Sequence, residues 1–376
     1  MLKGFAALFW GVKNKMNFIR KNNVVKIPPD ALNVSQERQS NLELLRIIAM
    51  LIIVMHHYVV NSGLIQVIYD NPFNFNSMLL LILGWGGKTA INCYIFITGY
   101  FMCKKDITIK KFVKLISEVL FYNIIIYTIF VLSGYDTFNL KECIKNILPI
   151  TAIASGFTSA FLVFYLFIPF LNIFIKAMTE KQHLTLIALL LSVYTIWPSL
   201  KFYVVFNYVT WFCVLYFMAA YYRLYNIPNF KNKEIYKYFA IGMLIISWIA
   251  VGGLSTIASL IPGKDIVYWG YFFIADSNKI LAVLTAAAVF MYFKNLDIGY
   301  CKWINKIAAS AFGVLLIHAN SDTMRQWLWK DTLNNVGWFN SPYEFLHLFC
   351  SVIGIYIICT LIDMLRIKFI ERKIFG

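Results

Sequence analysis

Ten apolar runs of roughly membrane-spanning length follow one another along this chain, at 43–62, 78–102, 114–133, 158–176, 183–200, 203–222, 238–260, 279–294, 305–320 and 344–366. A bilayer's hydrocarbon core is about 30 Å thick and holds no water to satisfy backbone N–H and C=O groups, so an apolar run of about 20 residues must close its own hydrogen bonds as a helix. The expected fold class is all-α, a polytopic membrane protein of about ten transmembrane helices. Composition agrees, since 60% of the 376 residues are hydrophobic and only 14% are charged, which is not the make-up of a soluble globular chain.

A formal net charge of +16 would suit a nucleic-acid binder, but the lysines and arginines lie in short clusters between the apolar runs, with no folded basic domain to present them. They read as topology signals. With a cytoplasmic N-terminus, 25 basic residues fall on the inner side and six (Lys141, Lys145, Lys201, Lys264, Arg325 and Lys330) on the outer side. That asymmetry supports ten spans with both termini cytoplasmic. Arg46, Lys88 and Lys279 lie within or at the edges of spans.

Residues 1–40 are expected to form a cytoplasmic, basic, amphipathic segment lying at the interface, broken at Pro28 and Pro29 and followed by the polar linker DALNVSQERQSN. Residues 41–376 make up the transmembrane domain. Its outer segments near 134–157 and 321–343 are rich in Gly, Asn, Ser and aromatics, as a loop touching a polar ligand would be. The seven cysteines form no CxxC pair and mostly sit in apolar runs, so neither a metal site nor a disulfide framework is expected.

The first span, NLELLRIIAMLIIVMHHYVVNS, is apolar enough for a membrane yet carries Arg46, His56 and His57. Arg46 and His57 are eleven positions apart, three helical turns plus about 20°, so they share one face about 16 Å from end to end, while His56 points about 100° away. Singly, the arginine reads as a snorkelling residue and the histidine as a packed one. Together on one face they point to function, because ionisable groups inside a membrane are costly unless they face the protein interior.

Other spans carry further candidates. GWGGKTAINCYIFITGYFMCKK contains Lys88, Asn92 and Thr98, with Gly86, Gly87 and Gly99 suited to close helix approach. KKFVKLISEVLFYN places Lys111, Lys114 and Glu118 on one helix face, either as an anchor with a Lys114–Glu118 pair or, joined by Arg46, as a cluster for a highly phosphorylated cytosolic ligand. NKIAASAFGVLLIHAN ends with His318 and Asn320 at the outer surface, followed by Asp322 and Arg325. His183 and His347 stand at span ends without polar company and read as structural.

The Arg46-x10-His57 spacing, INCYIFITGYF at 91–101, the Lys111-x-x-Lys114 step, FLVFYLFIPFLN at 161–172 and SAFGVLLIHAN at 310–320 together resemble the acyltransferase-three family of integral membrane O-acyltransferases, over nearly the whole chain from about residue 40. The chain looks most like the single-domain members that decorate bacterial surface polysaccharides. The resemblance implies residence in the bacterial cytoplasmic membrane, acyl-coenzyme A (acetyl-CoA by family frequency) as co-substrate with no permanently bound cofactor, and a polysaccharide or lipid-linked glycan as acceptor. It makes His57 the histidine needed for transfer and Arg46 its basic partner. Lys111 and Lys114 stand where the family more often has arginines, keeping charge while losing the bidentate fork. Thr98 stands where serine is common. No fused esterase-like domain is expected, so the chain would complete transfer alone.

On this reading His57 acts as general base or transient acyl carrier, and Glu118 is the candidate that fixes its tautomer. Arg46, Lys111 and Lys114 bind the donor phosphates. Lys88, Asn92 or Thr98 would serve the oxyanion, and His318, Asn320 and Arg325 the acceptor glycan. The rival class is a transporter or flippase for an anionic or lipid-linked glycan, which would also want a pore lined by Arg, His and Lys.

Overall fold

The computed structural model describes residues 39–105, 107–150, 156–225 and 230–376, and every regular element among them is helical. The amphipathic segment expected over 1–40 lies outside the described residues apart from its last two. The principal helices are α1 (Ser40–Val60), α2 (Phe75–Gly84), α3 (Gly87–Met102), α4 (Ile109–Leu132), α5 (Phe157–Ala177), α6 (Glu180–Leu191), α7 (Tyr208–Leu224), α8 (Glu234–Leu260), α9 (Ile280–Asn295), α10 (Lys302–Ala308), α11 (Ala311–His318) and α12 (Glu344–Arg366).

Among the described residues, six segments are long and apolar enough to cross a membrane: α1, the α2–α3 pair, α4, α5, α8, and α12 with its continuation to Phe375. The other four apolar runs are helical but shorter or interrupted. The run at 183–200 passes from α6 through a π-helical turn at Ser192–Ile196 and stops just beyond Pro198. The run at 203–222 begins as extended chain, and its helix α7 starts where the Asn207 side chain accepts the Thr210 N–H at 3.0 Å. Helix α9 has 16 residues, and the run at 305–320 is divided between α10 and α11.

The α2–α3 pair forms the centre of the bundle. Of its most apolar stretch 78% is buried in protein, against 22% for α4 and 28% for α8, so the latter two offer most of their surface to lipid. Ile129, Leu132, Ile245 and Ile249 are among the side chains they expose. Helix α3 packs against α1, α7 and α9. Small residues permit this closeness: a methyl group on Gly87 would overlap the His56 ring, and one on Gly99 would meet Ala219.

Asn92 ties the centre together. Its amide donates to the carbonyls of Ser277 (2.6 Å) and Ala282 (3.3 Å), and its oxygen accepts the Trp211 indole N–H at 3.0 Å. Both amide N–H donors of this buried side chain are therefore spent on helix packing. Around the centre, α10, α11 and α12 pack on α1 and bring residues more than 250 positions away in sequence onto the Arg46–His57 helix.

Candidate active site

Helix α1 runs unbroken past both Arg46 and His57, and its two adjacent histidines go to different neighbours. His56 donates from Nδ1 to the Gly84 carbonyl at 2.6 Å, the last residue of α2. His57 Nδ1 lies 3.0 Å from Nε2 of His318 on α11, and His318 Nδ1 lies 2.6 Å from the Val314 carbonyl one turn back on its own helix. A carbonyl only accepts, so His318 carries its proton on Nδ1 and presents a lone pair at Nε2. His57 must then donate from Nδ1, which leaves its own Nε2 unprotonated. One tautomer chain, anchored on a backbone carbonyl, fixes His57 as a base with a free ring nitrogen.

The surroundings of this pair are aromatic and buried. His318 and Trp329 are both fully buried, with Trp329 edge-on to His318 (ring centroids 6.4 Å) and to Tyr58 (6.0 Å). Tyr58 hydrogen-bonds Nδ1 of His347 at 2.8 Å, and His347 stacks on Trp338 at 4.7 Å. Segment 321–343 thus folds back over the histidines. Asn335 in this segment reinforces the cover by donating to the Tyr58 carbonyl at 3.1 Å.

Two cations stand within electrostatic reach of His57, Lys88 and Arg325. Lys88 Nζ donates to the Tyr208 hydroxyl at 2.8 Å and lies 5.5 Å from that ring's centroid. The Tyr208 ring meets Phe206 at 5.3 Å, and Phe206 lines a cavity of about 300 Å³ that Lys201, Phe202, Phe272 and Lys279 also border. Arg325 pairs with Asp322 at 2.7 Å, while its Nε is buried with no partner.

Three turns along α1, Arg46 pairs with Glu43 at 2.5 Å. Beside it lies an ion network that joins α4 to α12. Arg366, 6% exposed, binds Glu118 (3.0 Å), Asp363 (2.7 Å) and Glu371 (3.0 Å), and Tyr122 donates to Asp363 at 2.8 Å. Lys114 reaches Glu371 at 2.6 Å. One buried arginine facing three carboxylates satisfies the condition that interior charges be paired and hydrogen-bonded.

Several sequence-based expectations change. The tautomer of His57 is fixed by His318 and not by Glu118, which Arg366 holds; Lys114 likewise pairs with Glu371 instead of Glu118. His318 is not an outer-surface residue for an acceptor but the buried partner of His57. Asn92 has no donor left for an oxyanion, and the Thr98 hydroxyl is turned back onto the Tyr94 carbonyl at 3.0 Å. Asn320 is held by the Leu316 carbonyl (3.0 Å) and Asn123 (3.3 Å). His183 and His347 do have polar company, the Phe217 carbonyl and Tyr58 respectively. Lys88 and Arg325 remain within electrostatic reach of His57, and Lys111 is exposed on the first turn of α4.

Sequence reasoning missed the roles of Arg366 and Trp329. An arginine three positions after an aspartate at the end of the last span was a readable signal for the first, because i and i+3 share a face. Nothing in the local sequence marks Trp329 as buried.

A family model described as an acyltransferase domain matches residues 39–364. No curated protein and no solved structure matches the chain. The matched interval contains α1 with Arg46 and His57, α11 with His318, and nearly all of α12. The match takes in most of the chain and every helix that builds the histidine pair, and the chain is therefore a member of the acyltransferase-3 family, a multi-pass membrane acyltransferase.

Proposed function

We propose that this protein transfers an acyl group, acetyl in the first instance, from cytosolic acyl-CoA to a hydroxyl of a cell-surface or lipid-linked polysaccharide in a bacterial cytoplasmic membrane. The observation that carries the proposal is the Val314–His318–His57 hydrogen-bond chain, which leaves Nε2 of the half-buried His57 as a free base. In this scheme His57 Nε2 takes the proton of the acceptor hydroxyl while its oxygen bonds to the thioester carbonyl carbon. The carbon–sulfur bond then breaks, and the coenzyme thiolate leaves with the proton that His57 returns. Lys88 and Arg325, the two cations near His57, are the charges available to the oxyanion.

At the other end of the helix, Arg46 with Lys111 and Lys114 meets the donor's phosphates, the arginine exchanging its Glu43 partner for the ligand. The charge asymmetry along the chain supports ten crossings with both termini in the cytoplasm, which puts Arg46 on the donor's side and His57 beyond the midplane.

The test uses membranes carrying the full chain, supplied with radiolabelled acetyl-CoA, with label counted on surface glycan. His57→Ala should abolish transfer at undiminished protein level, and undiminished transfer would overturn the assignment.

A further inference from the structure

A buried hydroxyl with no partner is unfavourable, and each one in a folded protein calls for an explanation. Among the described residues, the Tyr94 hydroxyl on α3 is buried without a hydrogen-bond partner, and the buried hydroxyls of Tyr356 and Thr360, one turn apart on α12, have only each other. The three side chains are 7%, 6% and 5% exposed.

Their placement is not scattered. Gly87 touches His56, and Tyr94 lies seven residues further along α3, about 10 Å toward the Arg46 end. His347 meets Tyr58, and Tyr356 lies nine residues further along α12, about 13 Å in the same direction. Both phenols thus fall between His57 and Arg46, whose separation along α1 is about 16 Å. The ionisable neighbours of Tyr94 say the same, since they are Arg46, Glu43, Glu118 and Tyr356. Thr360 stands one turn beyond Tyr356 on the same face of α12.

The stretch of α1 between its polar ends offers no competing partner. Ala49, Met50 and Ile53 occupy it and are buried and apolar. Phenols from two other helices therefore supply the polar atoms at this depth, along a line that runs from the Arg46–Glu43 ion pair at one end to a base at the other.

We propose that Tyr94 and Tyr356 are the hydrogen-bonding stations for the pantetheine arm of the acyl donor, with Thr360 at its entrance. This rests on the acyl-CoA reading above. The arm carries two amides and a hydroxyl between its phosphates and its thioester, and in a dry interior each needs a partner. A phenol both donates and accepts, and so serves an amide N–H or C=O. Phosphates at Arg46 and thioester at His57 set the arm's direction, and the tyrosines recognise its middle.

The test measures equilibrium binding of radiolabelled acetyl-CoA and acetyl-pantetheine to the full chain in lipid nanodiscs, with thermal unfolding recorded on the same samples. Tyr94→Phe and Tyr356→Phe remove one oxygen each and should weaken both ligands about 5-fold per substitution. Arg46→Gln should weaken acetyl-CoA and leave acetyl-pantetheine unchanged. Without ligand, Tyr94→Phe should unfold at the same or a higher temperature, because an unpaired hydroxyl has been removed from an apolar site, whereas Tyr356→Phe also gives up its contact with Thr360 and should unfold slightly lower. Wild-type protein that binds both ligands while the Phe variants bind them equally well overturns the tyrosine proposal and leaves the donor assignment standing. Wild-type protein that binds neither ligand overturns the donor assignment and this proposal with it.

Discussion

Replacing His318 by alanine is the sharpest perturbation of the histidine chain, because it removes the acceptor of the 3.0 Å bond and leaves His57 itself in place. Without that acceptor the His57 ring is free to rotate and to carry its proton on either nitrogen. A net hydrogen bond of about 1 kcal/mol corresponds to roughly a 5-fold loss in the population of the competent tautomer. Disorder of the ring should add a comparable factor, since misplacing a reacting group is itself costly. A fall in kcat of about 10- to 100-fold follows, smaller than the roughly 10²- to 10⁴-fold expected when the base is deleted in His57→Ala. The assay is initial-rate acetyl transfer in membranes, normalised to folded protein. The KM for acetyl-CoA should stay within about 2-fold, as the proposed phosphate site at Arg46 is three turns away. His318→Gln keeps an acceptor oxygen near the site and should recover part of the loss. The double variant His57→Ala with His318→Ala should be no slower than His57→Ala alone, because one residue acts through the other. A His318→Ala enzyme with wild-type kcat, or one whose whole defect is a raised KM for the acceptor, would refute the orienting role.

Arg366→Ala leaves Glu118 with no cation and Asp363 with only Tyr122 at a buried site, while Glu371 keeps Lys114, and should cost about 3–5 kcal/mol, read as a large drop in thermal stability in detergent; Glu118→Gln in the same chain should restore part of it. Asn92→Ala should lower stability by about 2–3 kcal/mol through the lost ties to Ser277, Ala282 and Trp211, while the folded fraction keeps its kcat, as befits a packing residue. Gly87→Ala drives a methyl group into the His56 ring and should cost about 1–3 kcal/mol with a parallel loss of activity, whereas Gly253→Ala, in mid-helix where nothing lies near, should leave activity unchanged and stability the same or up to about 1 kcal/mol higher. Fluorescent-protein fusion to Gly376 should be bright if the C-terminus is cytoplasmic, and dark fusions would reverse the orientation.

Much of the helical layout was legible because membrane helices write their length and polarity directly into sequence. The register of Arg46 and His57 followed from periodicity alone, and the structure keeps both on one unbroken helix. What could not be read was long-range pairing. His318 looked like an interfacial residue because it ends an apolar run, yet α11 is only eight residues long and ends inside the protein, 261 positions from the histidine it supports. Glu118 was offered to His57 on grounds of chemistry, but depth decides, and Arg366 from the far end of the chain reaches it first. Asn92 showed the same limit, since a polar residue in a span advertises need without naming the partner. Breaks inside apolar runs were also invisible to a hydropathy scan. Extended chain before Tyr208 and the turn between α10 and α11 carry no charge to mark them.

Helix α12 is fastened at both ends. Near its start His347 is held by Tyr58 of α1, and at its finish Arg366 and Asp363 are held by Glu118 and Tyr122 of α4. A helix clamped in this way cannot serve as a rocker arm, because tilting it would tear a buried charge network at one end or a histidine contact at the other. The mechanical consequence is a stationary frame around α1. On the acyl-CoA reading proposed above, the donor's flexible arm would carry the acyl group to a fixed base, with no need for the protein to open alternately to either side.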